Sequence, residues 1–468
     1  MRKYFAFLVF ILLFILYSCG NSNGKDKNKS RIPFDYKSCI GKVTNQIAAE
    51  NNSVTYALYM PTNIDKSIPL PVIFLFDPQG RGNFPVSKYK DLAEKYGYIL
   101  VGSNNSQNGM NFDEINNTTN TMIEDVFEKV KFDRNKIFTG GFSGGSRVAI
   151  SIAINRNDMS AVIGCSAGFP VENFPQQNKF SFIGFAGNTD FNYLEMVAFD
   201  KMLEKNNINH QLVVFNGKHE WPPKECMEDG FIWLEFNSMK NNFTSRNDTL
   251  ITNFIKSNEN KIAELKKKNS TYEIYAAYKK MVSFLEGLAD VNKYQSEFAK
   301  IEATPELKKI LAKNEMLLNE ELTKCQQYSE NLNSKDINWW IKEINTIISK
   351  TKNNPDKEIQ LMNNRLLAFL SISGYTNSNA ILNSNQPEQA EKFLKIYAMV
   401  DPENPDCYYL TACYYAKLDE KEKALSSLEK AVVFGFSDVL KLHNNIDFNK
   451  IRGTEKFAEI ISKISNQK

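Results

Sequence analysis

The sequence predicts an α/β fold: a doubly wound, mostly parallel sheet, followed by an all-α region. Three observations predict it. Short continuous apolar runs recur from Pro71 to Phe215 and alternate with helical patterns, as strands covered on both faces require. One strand-to-helix junction carries Gly141-Phe142-Ser143-Gly144-Gly145. Beyond residue 225 the strand signal stops, and helical periodicities rich in Lys, Glu, Asn and Leu take over.

At the N-terminus, Arg2 and Lys3 precede an apolar run from Phe5 to Leu16, then Leu16-Tyr17-Ser18-Cys19 and a polar stretch over residues 20–31. The run is short for a membrane span and has the layout of a signal peptide. Its end resembles a bacterial lipobox. That resemblance implies cleavage before Cys19, lipidation of the Cys19 thiol and a lipid-anchored place in the cell envelope, periplasmic or outer-membrane. Simple secretion or an uncleaved anchor are the alternatives. Residues 1–18 are thus read as the signal peptide and 19–39 as a tether.

Residues 40–239 form the predicted α/β domain. A hairpin is expected over 43–60, where Asn52 to Tyr59 alternates polar and apolar residues. Buried strands are expected at Pro71–Phe76, Tyr98–Gly102, Ile137–Thr139, Ala161–Cys165, Phe180–Phe185 and Gln211–Phe215. Helices are expected at Tyr89–Tyr96, Thr118–Lys131, Val148–Ile154 and Leu194–Asn206. No lid is evident between residues 168 and 180.

Residues 240–370 read as a helical region, with helices at Asn260–Lys268, Thr271–Leu288, Glu306–Leu332 and Ile337–Lys350. In residues 371–468, Ala390 and Ala424, Leu394 and Leu428, and Tyr397 and Ala431 recur at a spacing of about 34 residues. Small residues followed one turn later by large apolar ones suit stacked helix pairs. The pattern resembles the tetratricopeptide repeat, with Tyr408, Ala412, Tyr415, Ala424, Leu428 and Ala431 on packing positions and residues 435–465 as a closing segment. The resemblance implies a surface for a protein partner.

A net charge of +3 with interspersed acids and bases gives no sign of a nucleic-acid-binding surface, and no nucleic-acid partner is expected. Seven cysteines include six besides Cys19. In an oxidising compartment a disulfide is open, but spacing assigns no partners. Only three histidines are present and no C-x-x-C, so no metal site is expected.

The junction at Ser143 is the pattern of a nucleophile elbow: strand, tight turn bearing G-x-S-x-G, helix. A serine nucleophile needs a base, and the base needs a carboxylate to hold its tautomer. His219 follows the last strand, whereas His210 opens that strand and His443 lies among the helices. Asp190 falls in the loop after the strand ending near Phe185; Glu195 and Asp200 compete but lie inside the next helix. Gly144 opens the elbow helix, where its N–H can meet an oxyanion. The loop Asp77-Pro78-Gln79-Gly80 holds the place of a second donor, and because Pro78 has no N–H that donor falls to Gln79 or Gly80. Asn104, Asn105 and Asn108, in a loop at another strand end, are candidates for binding a polar substrate. Trp221 is expected to pack against the sheet or to line the pocket.

Together, Asp133-Arg134-x-Lys136-Ile137 ahead of Gly141-x-Ser143-x-Gly145, then Gly187-x-x-Asp190 and His219-x-Trp221-Pro222, resemble the α/β-hydrolase family. The likeness leans to secreted esterases of the polyhydroxybutyrate-depolymerase, feruloyl-esterase and dienelactone-hydrolase types. It implies cleavage of a small-molecule or glycan ester by Ser143, His219 and Asp190, with no cofactor. Those esterases usually carry His-Gly where this chain has Asp77-Pro78. A serine peptidase with the same residues, or a binding protein built on a degenerate hydrolase domain, are the other readings.

Overall fold

The computed structural model describes residues 35–49, 53–62, 68–169, 180–384 and 386–465. The signal-peptide and lipobox readings, most of the tether and the segment examined for a lid lie outside the described residues. The chain divides into two compact units, Met1–Met316 and Leu317–Lys468.

The first unit is built on one eight-stranded sheet in the order β1-β2-β4-β3-β5-β6-β7-β8. Its strands are β1 (Thr44–Ala48), β2 (Thr55–Tyr59), β3 (Leu70–Phe76), β4 (Ile99–Ser103), β5 (Phe132–Phe142), β6 (Ala161–Cys165), β7 (Ser181–Gly187) and β8 (His210–Phe215). β1 and β2 are the antiparallel hairpin, β2 pairs antiparallel with β4, and every later pairing is parallel. Central strands read as unbroken apolar runs because both faces are covered. Along β3, Val72, Phe74 and Phe76 enter one core while Ile73 and Leu75 enter the other, the two-residue period of a strand.

Helices α2 (Phe112–Lys129), α3 (Gly144–Asn155) and α4 (Tyr193–Lys205) supply the first of these cores, through residues such as Met122, Ala149 and Phe199. Helices α1 (Asn83–Tyr96) and α5 (Lys224–Lys240) supply the other, through Tyr89, Leu92, Phe231 and Trp233. That core continues into α6 (Asp248–Lys267), α7 (Thr271–Leu285) and α8 (Asn292–Glu302).

Several boundaries differ from expectation. α2 starts at Phe112, six positions before the expected Thr118 on the polar side, because Asn111 and Glu114 form a capping box there; the box satisfies the free N–H groups of the first turn. α1 starts at Asn83 and holds Pro85 in its first turn, where a missing N–H costs nothing. β5 begins at Phe132, since Leu70 pairs with Phe132 before a register shift. α6 begins at Asp248, capped by Asn247. All six described cysteines are free thiols.

The division between units falls within α9 (Pro305–Ser334). The second unit continues with α10 (Ile337–Asn353), α11 (Lys357–Leu382), α12 (Glu391–Val400), α13 (Pro405–Lys417), α14 (Lys421–Val433), α15 (Val439–Asn444) and α16 (Glu455–Ser465). Ala390, Ala412, Ala424 and Ala431 are fully buried in its core beside Leu394, Tyr397 and Leu428. Arg365 and Glu321 form a buried ion pair there, with Nη2 to Oε2 at 2.7 Å.

Candidate active site

The chain turns sharply where β5 meets α3. Ser143 has φ 53° and ψ −122°, a strained conformation for a residue with a Cβ and one found at functional sites. Its N–H is anchored to Cys165 O at 2.8 Å. The flanking glycines are required by close approach. A Cβ on Gly145 would lie 2.0 Å from Phe76 O, and one on Gly141 would lie 2.1 Å from Gly145 O. The start of α3 is therefore pressed against the carboxyl end of β3. Gly144 is the first helical residue, so its N–H has no intrahelical acceptor.

His219 stands in the loop after β8. Its Nε2 lies 2.9 Å from Ser143 Oγ, and its Nδ1 lies 2.8 Å from Asp190 Oδ1. Asp190, in the loop after β7, is fully buried, and its Oδ1 also accepts the Asn192 N–H at 2.8 Å. The carboxylate selects the tautomer with the proton on Nδ1 and leaves Nε2 to accept from the serine. The imidazole is held between Phe142 and Phe191, with ring centroids 4.7 and 4.0 Å away. The loops that carry Asp190 and His219 interlock: Thr189 N–H and Oγ1 both donate to Gly217 O.

The other carboxylates and histidines weighed from sequence are engaged elsewhere. Glu195 pairs with Arg147 (2.8 Å) and accepts the Gly168 N–H at 2.9 Å. Burial raises its pKa, and Arg147 opposes that rise. Asp200 lies 3.4 Å from His210, and burial raises its pKa too.

The loop after β3 departs from expectation. Gln79, expected to aim its N–H at an oxyanion, instead donates to Asp77 Oδ1 at 3.0 Å, and the Gly80 N–H donates to Asp77 O at 3.0 Å. Asp77 is fully buried and organises this corner. It also accepts from Arg81 (2.9 and 3.1 Å) and from Trp221 Nε1 at 3.0 Å. Trp221 is therefore buried rather than substrate-facing; it packs on Phe142 and Tyr89. Asn105 is likewise spent within the fold, accepting the Thr55 N–H at 2.7 Å. Asn104 donates to Asn45 at 3.0 Å and lines a cavity of about 660 Å³ with Gly80, Arg81, Phe84 and Lys88. Asn108 lies over Gly144: a Cβ there would meet its Oδ1 at 1.8 Å. Among the described residues no cluster of His, Cys, Asp and Glu could hold a metal ion.

Sequence reasoning missed Asp77, Arg147 and Phe191. For Asp77 a signal existed, a carboxylate directly after an all-apolar strand. Arg147 and Phe191 carry no local signal, since their partners are distant in the chain.

The sheet with its flanking helices has the architecture of an α/β-hydrolase fold, followed by a helix-rich region. Residues 97–232 match the family model described as phospholipase/carboxylesterase. The match supports an esterase-like α/β-hydrolase family and a hydrolase. Similar solved structures include the S-formylglutathione hydrolase of Staphylococcus aureus, 14% identical, covering 41% of this chain and 96% of that one at a TM-score of 0.34. A ferulic acid esterase is 17% identical, covering 42% and 97% at 0.33. The acylaminoacyl peptidase of Pyrococcus horikoshii is 14% identical, covering 42% and 41% at 0.33. No curated protein matches the chain.

Proposed function

We propose that the first unit is a serine hydrolase of the carboxylesterase kind. The observation that carries this reading is the continuous hydrogen-bonded chain Ser143–His219–Asp190, at 2.9 and 2.8 Å. The phospholipase/carboxylesterase family match supports it. Ser143 Oγ attacks the ester carbonyl as His219 Nε2 takes its proton, and Asp190 stabilises the imidazolium. The Gly144 N–H faces the oxyanion. His219 returns the proton to the departing alcohol. Water then attacks the acyl-enzyme, giving a proton to His219, and the carboxylic acid leaves as Ser143 regains its hydrogen.

The test is labelling by a fluorophosphonate probe alongside hydrolysis of a short chromogenic ester. Wild type should label and turn over, and Ser143→Ala and His219→Ala should do neither. A folded wild type that does not label overturns the reading. The lipid anchor on Cys19 is part of the same proposal. Metabolic labelling with a radiolabelled fatty acid should mark the wild type and not Cys19→Ala.

A further inference from the structure

Acyl transfer is faster when more than one donor meets the oxyanion, because charge develops on the tetrahedral oxygen. Gly144 supplies one. The loop after β3 has none free among its first candidates. Pro78 lacks an N–H, the Gln79 N–H points at Asp77 Oδ1, and the Gly80 N–H points at Asp77 O. Both bonds belong to one turn, closed from outside by Arg81 and Trp221 on the Asp77 carboxylate. Freeing Gln79 would mean dismantling that buried carboxylate's shell.

A different group lies close to Gly144. The Asn108 N–H is pinned to Pro78 O at 2.8 Å, and Gln79 bridges to Gln107 beside it. This fixes the 103–109 loop against the β3 loop. The Asn108 side chain then leans on Gly144, the residue after the nucleophile. A Cβ at 144 would lie 1.8 Å from Asn108 Oδ1 and 3.3 Å from Nδ2. Asn108 is exposed, so its amide is open to an incoming group. The two ends of an amide are told apart by their partners, so an oxyanion at the Gly144 N–H selects the NH₂ end.

We propose that the Asn108 side-chain amide is the second oxyanion donor, in place of a backbone N–H from the β3 loop. The proposal rests on Ser143 being the nucleophile. It also explains why position 144 carries no side chain: any Cβ would displace the amide.

The experiment compares wild type, Asn108→Ala and Asn108→Asp with a chromogenic ester, a fluorophosphonate and a boronate that forms an anionic tetrahedral adduct. The expected result is a fall in kcat of about 10²-fold in both variants, with KM nearly unchanged. Boronate affinity should fall in parallel with kcat/KM, which a merely structural asparagine would not produce. Asn108→Asp keeps the size of the side chain but repels the oxyanion, so it must be at least as impaired as Asn108→Ala. It also carries the measurement should the alanine variant fail to fold. Wild-type labelling combined with near-wild-type kcat in the folded variants overturns the assignment of Asn108 alone. Absence of wild-type labelling overturns the Ser143 reading on which it depends.

Discussion

Arg147 and Glu195 offer the sharpest stability test. Arg147 lies one helical turn beyond Ser143, and one of its Nη atoms donates to both Glu195 oxygens at 2.9 and 2.8 Å. The side chains are 14% and 7% exposed. The pair thus ties the helix that opens after Ser143 to the helix that follows Asp190. Removing one partner from such a pair costs about 3–5 kcal/mol, because the survivor stays charged where water is scarce. The two survivors behave differently. Arginine keeps its proton in proteins, so Glu195→Gln should carry the cost at every pH. In Arg147→Met the Glu195 carboxyl escapes by binding a proton. Its pKa is already raised by burial, against the pull of Arg147, and losing that pull raises it further. Between the unfolded value of about 4.3 and the raised folded value, the folded chain holds more protons than the unfolded one. Stability therefore falls as pH rises through that window. Arg147→Met should lose little near pH 4 and about 3 kcal/mol near pH 8. Urea unfolding at several pH values reads this, followed by Trp221 and Trp233 fluorescence in a background with Trp339 and Trp340 replaced by Phe. A loss in Arg147→Met that does not vary with pH, or losses below about 1 kcal/mol in both variants, would refute the reasoning.

Asp77→Asn keeps the shape of the buried hub but not its charge, which holds Gln79, Arg81 and Trp221 together. The base loop and the β3 loop should loosen, and kcat should fall about 10-fold or more while fluorophosphonate labelling persists at a slower rate. Unchanged kcat would mean that the hub does not position the site. Lys240 donates to Ser283 O at 2.9 Å, and burial pushes its pKa down to about 8 while Glu286 opposes the shift. Between that value and the unfolded one near 10.4, the unfolded chain holds more protons, so stability rises with pH across the window. Lys240→Met should be more stable than wild type at pH 7, with the gap narrowing by pH 9.5. Thermal unfolding at the two pH values reads it, and a gap that widens with pH would contradict the assigned burial.

The sequence by itself determined what is written within a few residues of each position. Strands such as Pro71–Phe76 and Ala161–Cys165 announce themselves because both faces are covered and every side chain is apolar. The elbow is legible because no other residue types fit a strained turn pressed against a neighbouring strand, as the 2.0 Å approach of a Gly145 Cβ to Phe76 O makes plain. Ser143, Asp190 and His219 could be chosen as candidates from their places just after β5, β7 and β8. Tertiary structure alone decided the partners. Asn105 turns to Thr55 on a strand fifty positions earlier, Trp221 sinks onto Asp77, and the six described cysteines stay unpaired. Asp77 claims the Gln79 N–H, and Asn108 leans on Gly144. A side chain's hydrogen-bond partner depends on which distant backbone the sheet order brings beside it. That order places β4 between β2 and β3, and local periodicity carries no record of it.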